Sequence, residues 1–353
     1  MSAKNLASIR RRLLRWYDKN KRDLPWRTTK DPYAIWVAET MLQQTQVKTV
    51  LPYYERFLKA FPSVEALAQA PRQRILRVWS GLGYYRRAEY LRQAARQLVR
   101  RHQGKIPRDY DQLRSLPGIG DYTAGALLSI AFHQSYPALD GNARRVLTRI
   151  FNLTDDRALH DRAVRLVPVS EPGDFNQALM ELGATLCTPR APNCAACPVA
   201  NDCTARLRNP LPVQPSARRQ SRFKEVTWPL AIVRHRGKIL LRRRAAGGLL
   251  ARLWEFPGGE TKPREKLENF LRRQLRALAA RSALRRIGEF RHTITYRRIR
   301  APIYLVDYQS ALKIHLPAPH WQWTERSELA DYPMSSMTRK ALRVFDVHEE
   351  SSS

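Results

Sequence analysis

Four cysteines, Cys187, Cys194, Cys197 and Cys203, are the chain's only thiols, and they stand together in the spacing C-x6-C-x2-C-x5-C. In a reducing compartment such clustering favours metal over disulfides, because two bridges add little to a chain long enough to build a large core. One CxxC with two outlying thiolates suits a cuboidal 4Fe-4S cluster better than zinc, whose sites usually come as two close pairs. Zinc and four unligated thiols are the alternatives. Pro189, Pro192 and Pro198 keep the segment from becoming a helix.

Two carboxylates offer a different chemistry. Glu39 lies in WVAETMLQQTQVKTV among Val37, Ala38, Met41 and Leu42. Apolar company penalises a charged carboxylate and raises its pKa, which suits a proton donor; a solvated helix face is the other reading. Asp140 opens a helical pattern in LDGNARRVL with Asn142 close behind, a place where an aspartate is ordinarily an N-cap. Between them, LPGIGDYTAGALLSIA sets Pro117, Gly118 and Gly120 between two helical patterns, a helix-hairpin-helix. Gly118 and Gly120 let backbone approach a ligand, and free amides at the start of the second helix point at an anion such as a DNA phosphate. A glycine-rich turn between packed helices is the plainer alternative.

The elements that must hold these residues fall into two sets. A length of 353 residues suggests two domains, and 43% hydrophobic residues can fill two cores. Residues 6–186 show apolar spacings of three and four, so helices dominate there. VTWPLAIVRH and GKILLRRR alternate like paired strands, residues 263–280 look helical, and EFRHTITYRRIRAPIYLVDY returns to strands, giving an α+β second domain. The expected boundaries are 1–204, a Pro- and Arg-rich linker over 205–225, and 226–348. Lys and Arg number 63 against 31 acidic residues, a net charge of +32, which favours a nucleic-acid partner over a membrane surface or a merely solvated charge shell. No window is apolar enough for a membrane span, and the first residues read as an amphipathic helix, not a secretory signal. The expectation is a cytoplasmic, nucleoid-associated monomer with no membrane partner.

Taken together, LPWR, ETMLQQTQV, GLGYYRRA, LPGIGDYTAGA, LDGNARRVL, the cysteine spacing and WEFPGGE resemble the adenine DNA glycosylase (MutY) family across nearly the whole chain. The resemblance implies an all-α helix-hairpin-helix glycosylase domain with a 4Fe-4S cluster loop, followed by an α+β Nudix-like domain. It implies base flipping of adenine from double-stranded DNA that carries adenine opposite 8-oxoguanine. Within it Glu39 is the acid that protonates adenine, Asp140 steadies the cationic sugar, and Tyr122 and Asn142 support them by hydrogen bonds. Trp26, Arg27 and Gln177 fall at adenine-pocket positions, with ordinary packing as the other reading. Gln44 and Tyr84 fall where residues wedge beside the orphan lesion.

Three features bear on rival functions. Bifunctional relatives place a Schiff-base lysine where Tyr122 stands, so a strand-cutting pyrimidine glycosylase is disfavoured. A diphosphate hydrolase needs glutamates after WEFPGGE to hold magnesium, whereas NFLRRQLRALAARSALRR is basic. Glu39 and Asp140 argue against a non-catalytic sensor. One departure from the family stands out: its lesion loop usually reads Phe-Ser-His, and here Ile294, Thr295 and Tyr296 fill those slots.

Overall fold

Capping side chains mark where helices of the N-terminal half begin. Asp31, Ser63, Asp109, Asp140 and Asp155 each accept a hydrogen bond from a first-turn amide, satisfying a donor that the helix itself cannot. The computed structural model describes residues 3–208, 223–276, 283–308 and 320–351. It divides into two units, Met1–Ala70 with Glu89–Arg219, and Pro71–Ala88 with Gln220–Ser353.

The first unit is helical, as its apolar spacing predicts. Helices Ala3–Asn20, Gly141–Phe151 and Pro172–Thr185 share one core, with Ile9, Leu13 and Tyr17 meeting Val146, Ile150, Phe175, Leu179 and Leu182. The approach of the last two helices is close at one point. A Cβ on Gly183 would stand 2.6 Å from the Cβ of Asn142 and 3.0 Å from its backbone. Helix Pro32–Leu42 starts on the Asp31 cap with proline at its first position, and every residue from Tyr33 to Met41 is buried. The hairpin joins Tyr110–Arg114 to Asp121–Ala126, and the second helix widens into a π segment over Leu127–Ala131. Gly118 turns the chain at φ +81, and a Cβ there would stand 2.6 Å from that of Tyr90.

The second unit is built on a mixed sheet of β1 (Lys224–Thr227), β2 (Leu230–His235), β3 (Lys238–Arg243), β4 (Trp254–Glu255), β5 (Arg285–Ile294), β6 (Arg297–Asp307) and β7 (Trp321–Glu325). The central order is β1-β6-β2-β3-β4, with β5 on β6 and β7 on β3. β2 and β3 pair antiparallel as the alternating pattern predicts, but Pro229 interrupts the first run, so β1 is a separate strand and pairs parallel with β6. Alternation along β2 sends Leu230 and Ile232 to one face, against Met337, Ala341 and Phe345 of helix Ser336–Glu350. It sends Ala231 and Val233 to the other, against Phe270 and Leu271.

Two sequence readings need correction. The helix expected over 263–280 spans only Leu267–Gln274; residues before it form a turn in which Glu265 accepts from the Lys262 amide, and 277–280 lie outside the described residues. Of the expected linker, Thr204–Leu207 is helical and Lys224 begins β1, while 209–222 lie outside the described residues. Among the described residues no helix is long and apolar enough to cross a membrane.

The Gly183 contact generates a prediction. Alanine is ordinarily the better helix former by about 1 kcal/mol, but here its methyl must push Asn142 and the helix behind it. Gly183→Ala should therefore lower the free energy of unfolding by about 1–3 kcal/mol in a urea titration. Unchanged or increased stability would mean that the two helices can part without cost.

Candidate active site

The helix that carries Glu39 leaves its carboxyl nowhere to meet water: the residue is 4% exposed. Tyr122, in the first turn after the hairpin, donates its hydroxyl to Glu39 Oε2, and the same hydroxyl lies 3.6 Å from Met180 Sδ. Burial pushes the Glu39 carboxyl up to about 7, outweighing the Tyr122 hydrogen bond and the charge of Arg27, while the charge of Asp140 adds to the rise. Tyr122 itself is held well above the usual phenol range, by burial first and by the two neighbouring carboxylates after it.

Asp140 caps helix Gly141–Phe151. Its Oδ1 accepts from the Ala143 amide at 2.6 Å, and its Oδ2 accepts from Asn142 Nδ2 at 3.0 Å. Burial raises its pKa, and these two donors work against the rise. Asn142 is in turn fixed by Arg145, whose Nη2 donates to Asn142 Oδ1 at 2.8 Å and to the Gly183 carbonyl at 2.7 Å. Glu39 with Tyr122 and Asp140 with Asn142 thus form two hydrogen-bonded pairs, and the charge of Asp140 acts on both Glu39 and Tyr122.

The remaining residues singled out from the sequence divide between the units. Trp26 is buried edge-on against Tyr54 at 5.2 Å. Arg27 lies 5.3 Å over the Tyr17 ring and donates to Glu181 Oε2 at 2.6 Å. Gln177 is buried one turn before Glu181, with Asp174 Oδ1 at 3.4 Å from its amide. Gln44 adopts a left-handed backbone at φ 57 just after the Glu39 helix, and Gly120 caps the helix of Tyr122 without a side chain. In the second unit, Tyr84 is 45% exposed at φ 46. Thr295 and Tyr296 form the β5–β6 turn. There the Thr295 hydroxyl donates to the Ile294 carbonyl at 2.7 Å, and Arg297 lies 4.5 Å over the exposed Tyr296 ring.

Sequence reasoning missed two supports. Glu181 is fully buried and holds Arg22 through both oxygens, at 2.6 and 2.8 Å, as well as Arg27. Burial alone would raise its pKa, but the two guanidinium groups bring it below the usual range. No local pattern joins residues so far apart in the chain. Arg145 and Arg149 read as part of a basic surface, yet both are buried, and they donate to the Cys187, Thr188 and Pro189 carbonyls. They brace the cysteine loop.

All four cysteines line one cavity of about 230 Å³ whose other walls include Val146, Ile150, Leu182 and Val199. Arg149 Nη1 lies 3.2 Å from Cys187 Sγ. No three His, Cys, Asp or Glu side chains among the described residues converge closely enough to share a single ion.

Comparison with known proteins extends this picture. Residues 37–168 match the family described as HhH-GPD superfamily base excision DNA repair protein, and 229–344 match the NUDIX domain. The chain is 35% identical to the adenine DNA glycosylase of Rattus norvegicus, an alignment covering 98% of this chain and 79% of that protein. It belongs to the adenine DNA glycosylase family. The Homo sapiens adenine DNA glycosylase is 34% identical over 96% of this chain and 74% of its own length. Among solved structures, a thermostable thymine-DNA glycosylase superposes with a TM-score of 0.55 at 31% identity, covering 58% of this chain and 98% of that one. As a member of the adenine DNA glycosylases the chain is a base excision repair glycosylase, and its helical unit is the fold that such enzymes share.

The raised pKa of Glu39 gives the site a predicted pH response. A general acid must be protonated, and below about 7 Glu39 is; above it the donor is lost. Single-turnover excision should therefore fall roughly tenfold per pH unit above that value. If Asp140 serves as the anion, its protonation should lower the rate as pH falls, and burial moves the onset of that loss upward. Glu39→Gln should lose at least ~100-fold in rate and lose the alkaline limb with it. An unmodified enzyme whose rate stays flat well above neutrality would remove Glu39 from the acid role.

Proposed function

We propose that this enzyme hydrolyses the glycosidic bond of adenine mispaired with 8-oxoguanine, by a monofunctional route that leaves an abasic site. The observation that carries the reading is a buried Glu39, hydrogen-bonded by Tyr122 and pushed up to about 7, with the charge of a capped Asp140 acting on it. With adenine flipped from the duplex, Glu39 gives its proton to N7, and the C1′–N9 bond breaks with its electrons on the departing base. Asp140 faces the cationic sugar, where a carboxylate in a low-dielectric site stabilises the developing charge. Glu39, now ionised, accepts a proton from the water that attacks C1′. Water and the deoxyadenosine nucleotide become adenine and an abasic deoxyribose, and the acid is restored.

Tyr122 supports the monofunctional half of the proposal. The groups whose charges and hydrogen bonds act on Glu39 are Tyr122, Asp140 and Arg27, and none is an amine able to form a Schiff base. Trp26, Arg27 and Gln177 serve as the adenine pocket. Gln44 and Tyr84 act beside the orphan base, and Thr295 with Tyr296 reads the lesion. Gly118 and Gly120 bring hairpin amides to the DNA backbone.

Cys187, Cys194, Cys197 and Cys203 fit a 4Fe-4S cluster. Four thiols around one largely apolar cavity suit a cubane in which each of the four irons takes one thiolate. Held by these four thiolates, such a cluster would cross-link the segment from Cys187 to Cys203, while the proposed excision steps use Glu39 and Asp140.

Two measurements test this reading. Duplexes carrying adenine opposite 8-oxoguanine or guanine should lose adenine, faster opposite 8-oxoguanine, and strands should break only after alkali. Strand scission without alkali, or borohydride trapping of unmodified protein on DNA, would overturn the monofunctional assignment, whereas Tyr122→Lys should raise trapping. The purified protein should be yellow-brown, absorb near ~400 nm and carry about four irons per chain; a colourless protein with one zinc would end the cluster assignment.

A further inference from the structure

Residues 71–88 lie inside the stretch that matches the HhH-GPD family, yet they pack into the unit built on the C-terminal sheet. The joint is a set of hydrogen bonds around the backbone of one residue, Met334. Ser80, 3% exposed, donates its hydroxyl to the Met334 carbonyl at 2.5 Å and accepts from the Met334 amide at 3.1 Å, while Arg339 Nη2 donates to the same oxygen at 3.1 Å. The Tyr85 hydroxyl donates to the Met334 carbonyl at 3.0 Å and accepts from the Gly81 amide at 3.1 Å. Met334 is itself anchored to the sheet, bridging Trp254 of β4 while the Trp254 amide donates to Pro333.

The loop so gripped is bent. Gly81 and Gly83 take φ +102 and +80, and between the grip and the helix that follows stands Tyr84 at φ 46, a left-handed conformation that a tyrosine rarely adopts. Gly83 is held from the other side, by Trp79 Nε1 at 3.0 Å and Arg87 Nη2 at 3.2 Å on its carbonyl. Backbone strain of this kind persists only where surrounding contacts over-determine it. Here those contacts leave the ring outside: Tyr84 is 45% exposed, with the Arg87 guanidinium 5.3 Å from it.

We propose that the Ser80 hydroxyl and the Met334 peptide form a latch through which the C-terminal domain holds Tyr84 ready to wedge, and that the latch sets preference for the lesion. Ser80 is a positioning residue. Without its hydroxyl the loop relaxes, Tyr84 takes an ordinary backbone angle, and the ring no longer stands where the orphan base arrives. The proposal rests on the reading of Tyr84 as a wedge, and the test separates the two.

Single-turnover excision is measured with the full chain on duplexes carrying adenine opposite 8-oxoguanine or opposite guanine, with thermal unfolding alongside. Ser80→Ala should reduce the preference for 8-oxoguanine by about 2- to 10-fold, the size of one net hydrogen bond, and leave the rate opposite guanine within about twofold. Ser80→Thr, which keeps the hydroxyl, should restore it. In a Tyr84→Ala background Ser80→Ala should change nothing further, because its effect passes through Tyr84. Should Ser80→Ala fail to fold, Tyr85→Phe removes a hydrogen bond to the same carbonyl and carries the comparison. Equal loss on both duplexes, or intact preference in Ser80→Ala while Tyr84→Ala abolishes it, overturns the latch. Intact preference in Tyr84→Ala overturns the wedge reading, and the latch with it.

Discussion

A buried carboxyl can pair with a cation, ionise at high cost, or keep its proton, and the N-terminal unit assigns these outcomes to different residues. Glu181 takes the cations. Arg22 and Arg27 both donate to it, and it stays ionised although it is fully buried. Arg27 also lowers Glu39, but it is the least of the influences there, and burial decides. Two acidic side chains of one domain are thereby driven in opposite directions, which is how a fold separates an acid from an anion near neutral pH. Loss of Glu181 would free both arginines, so its effect should reach excision without any contact with the base.

At Asp140 the structural and the chemical readings coincide. Capping requires an aspartate that accepts from a first-turn amide, and that same amide favours the ionised form. Burial opposes it, and Asn142 adds a second donor on the side the cap leaves open. In the proposed reaction the cap thus prepares the carboxylate that would face the cationic sugar. What sets the position of Asn142 lies further back, in Arg145 and in the missing side chain of Gly183. The close approach of two helices thus helps set where Asn142 stands beside Asp140.

How much of this could be read from the chain depended on distance along it. Local patterns were legible: the cap at Asp140, the turn at Gly118, the apolar setting of Glu39 and the cysteine spacing each show within a few residues. Periodicity gave the helical unit and most strands, and it failed where one proline divided a run into β1 and β2 and where Lys262–Lys266 turned instead of coiling. The supports at Glu181, Arg145 and Ser80 were invisible because their partners come from distant sequence, and a serine or an arginine carries no mark of what it will meet. Charge was the most misleading signal at single residues. Arg145 and Arg149 belong to the excess that points to DNA, yet they are spent inside the fold on carbonyls of the cysteine loop.

The Nudix-like unit shows the same trade between charge and place. A divalent cation needs carboxylates free to gather around it. Here Glu255 is held by Arg242 and Arg244, Glu260 by Lys224 and Arg297, and Glu265 by Arg273, while Glu268 accepts from the Tyr304 hydroxyl at 3.3 Å. Collecting them around magnesium would break these contacts, and for Glu255, which is 1% exposed, it would leave two guanidinium groups without their anion. The helix Leu267–Gln274 adds two arginines in its last turn. Charge that a hydrolase would direct at a metal is thus absorbed into ion pairs, several of which tie the WEFPGGE turn to strands. One of them, Glu260 with Lys224 and Arg297, reaches the base of the β5–β6 turn, where Lys224 also donates its amide to the Tyr296 carbonyl. The WEFPGGE turn thus serves as a brace for the loop that carries Thr295 and Tyr296.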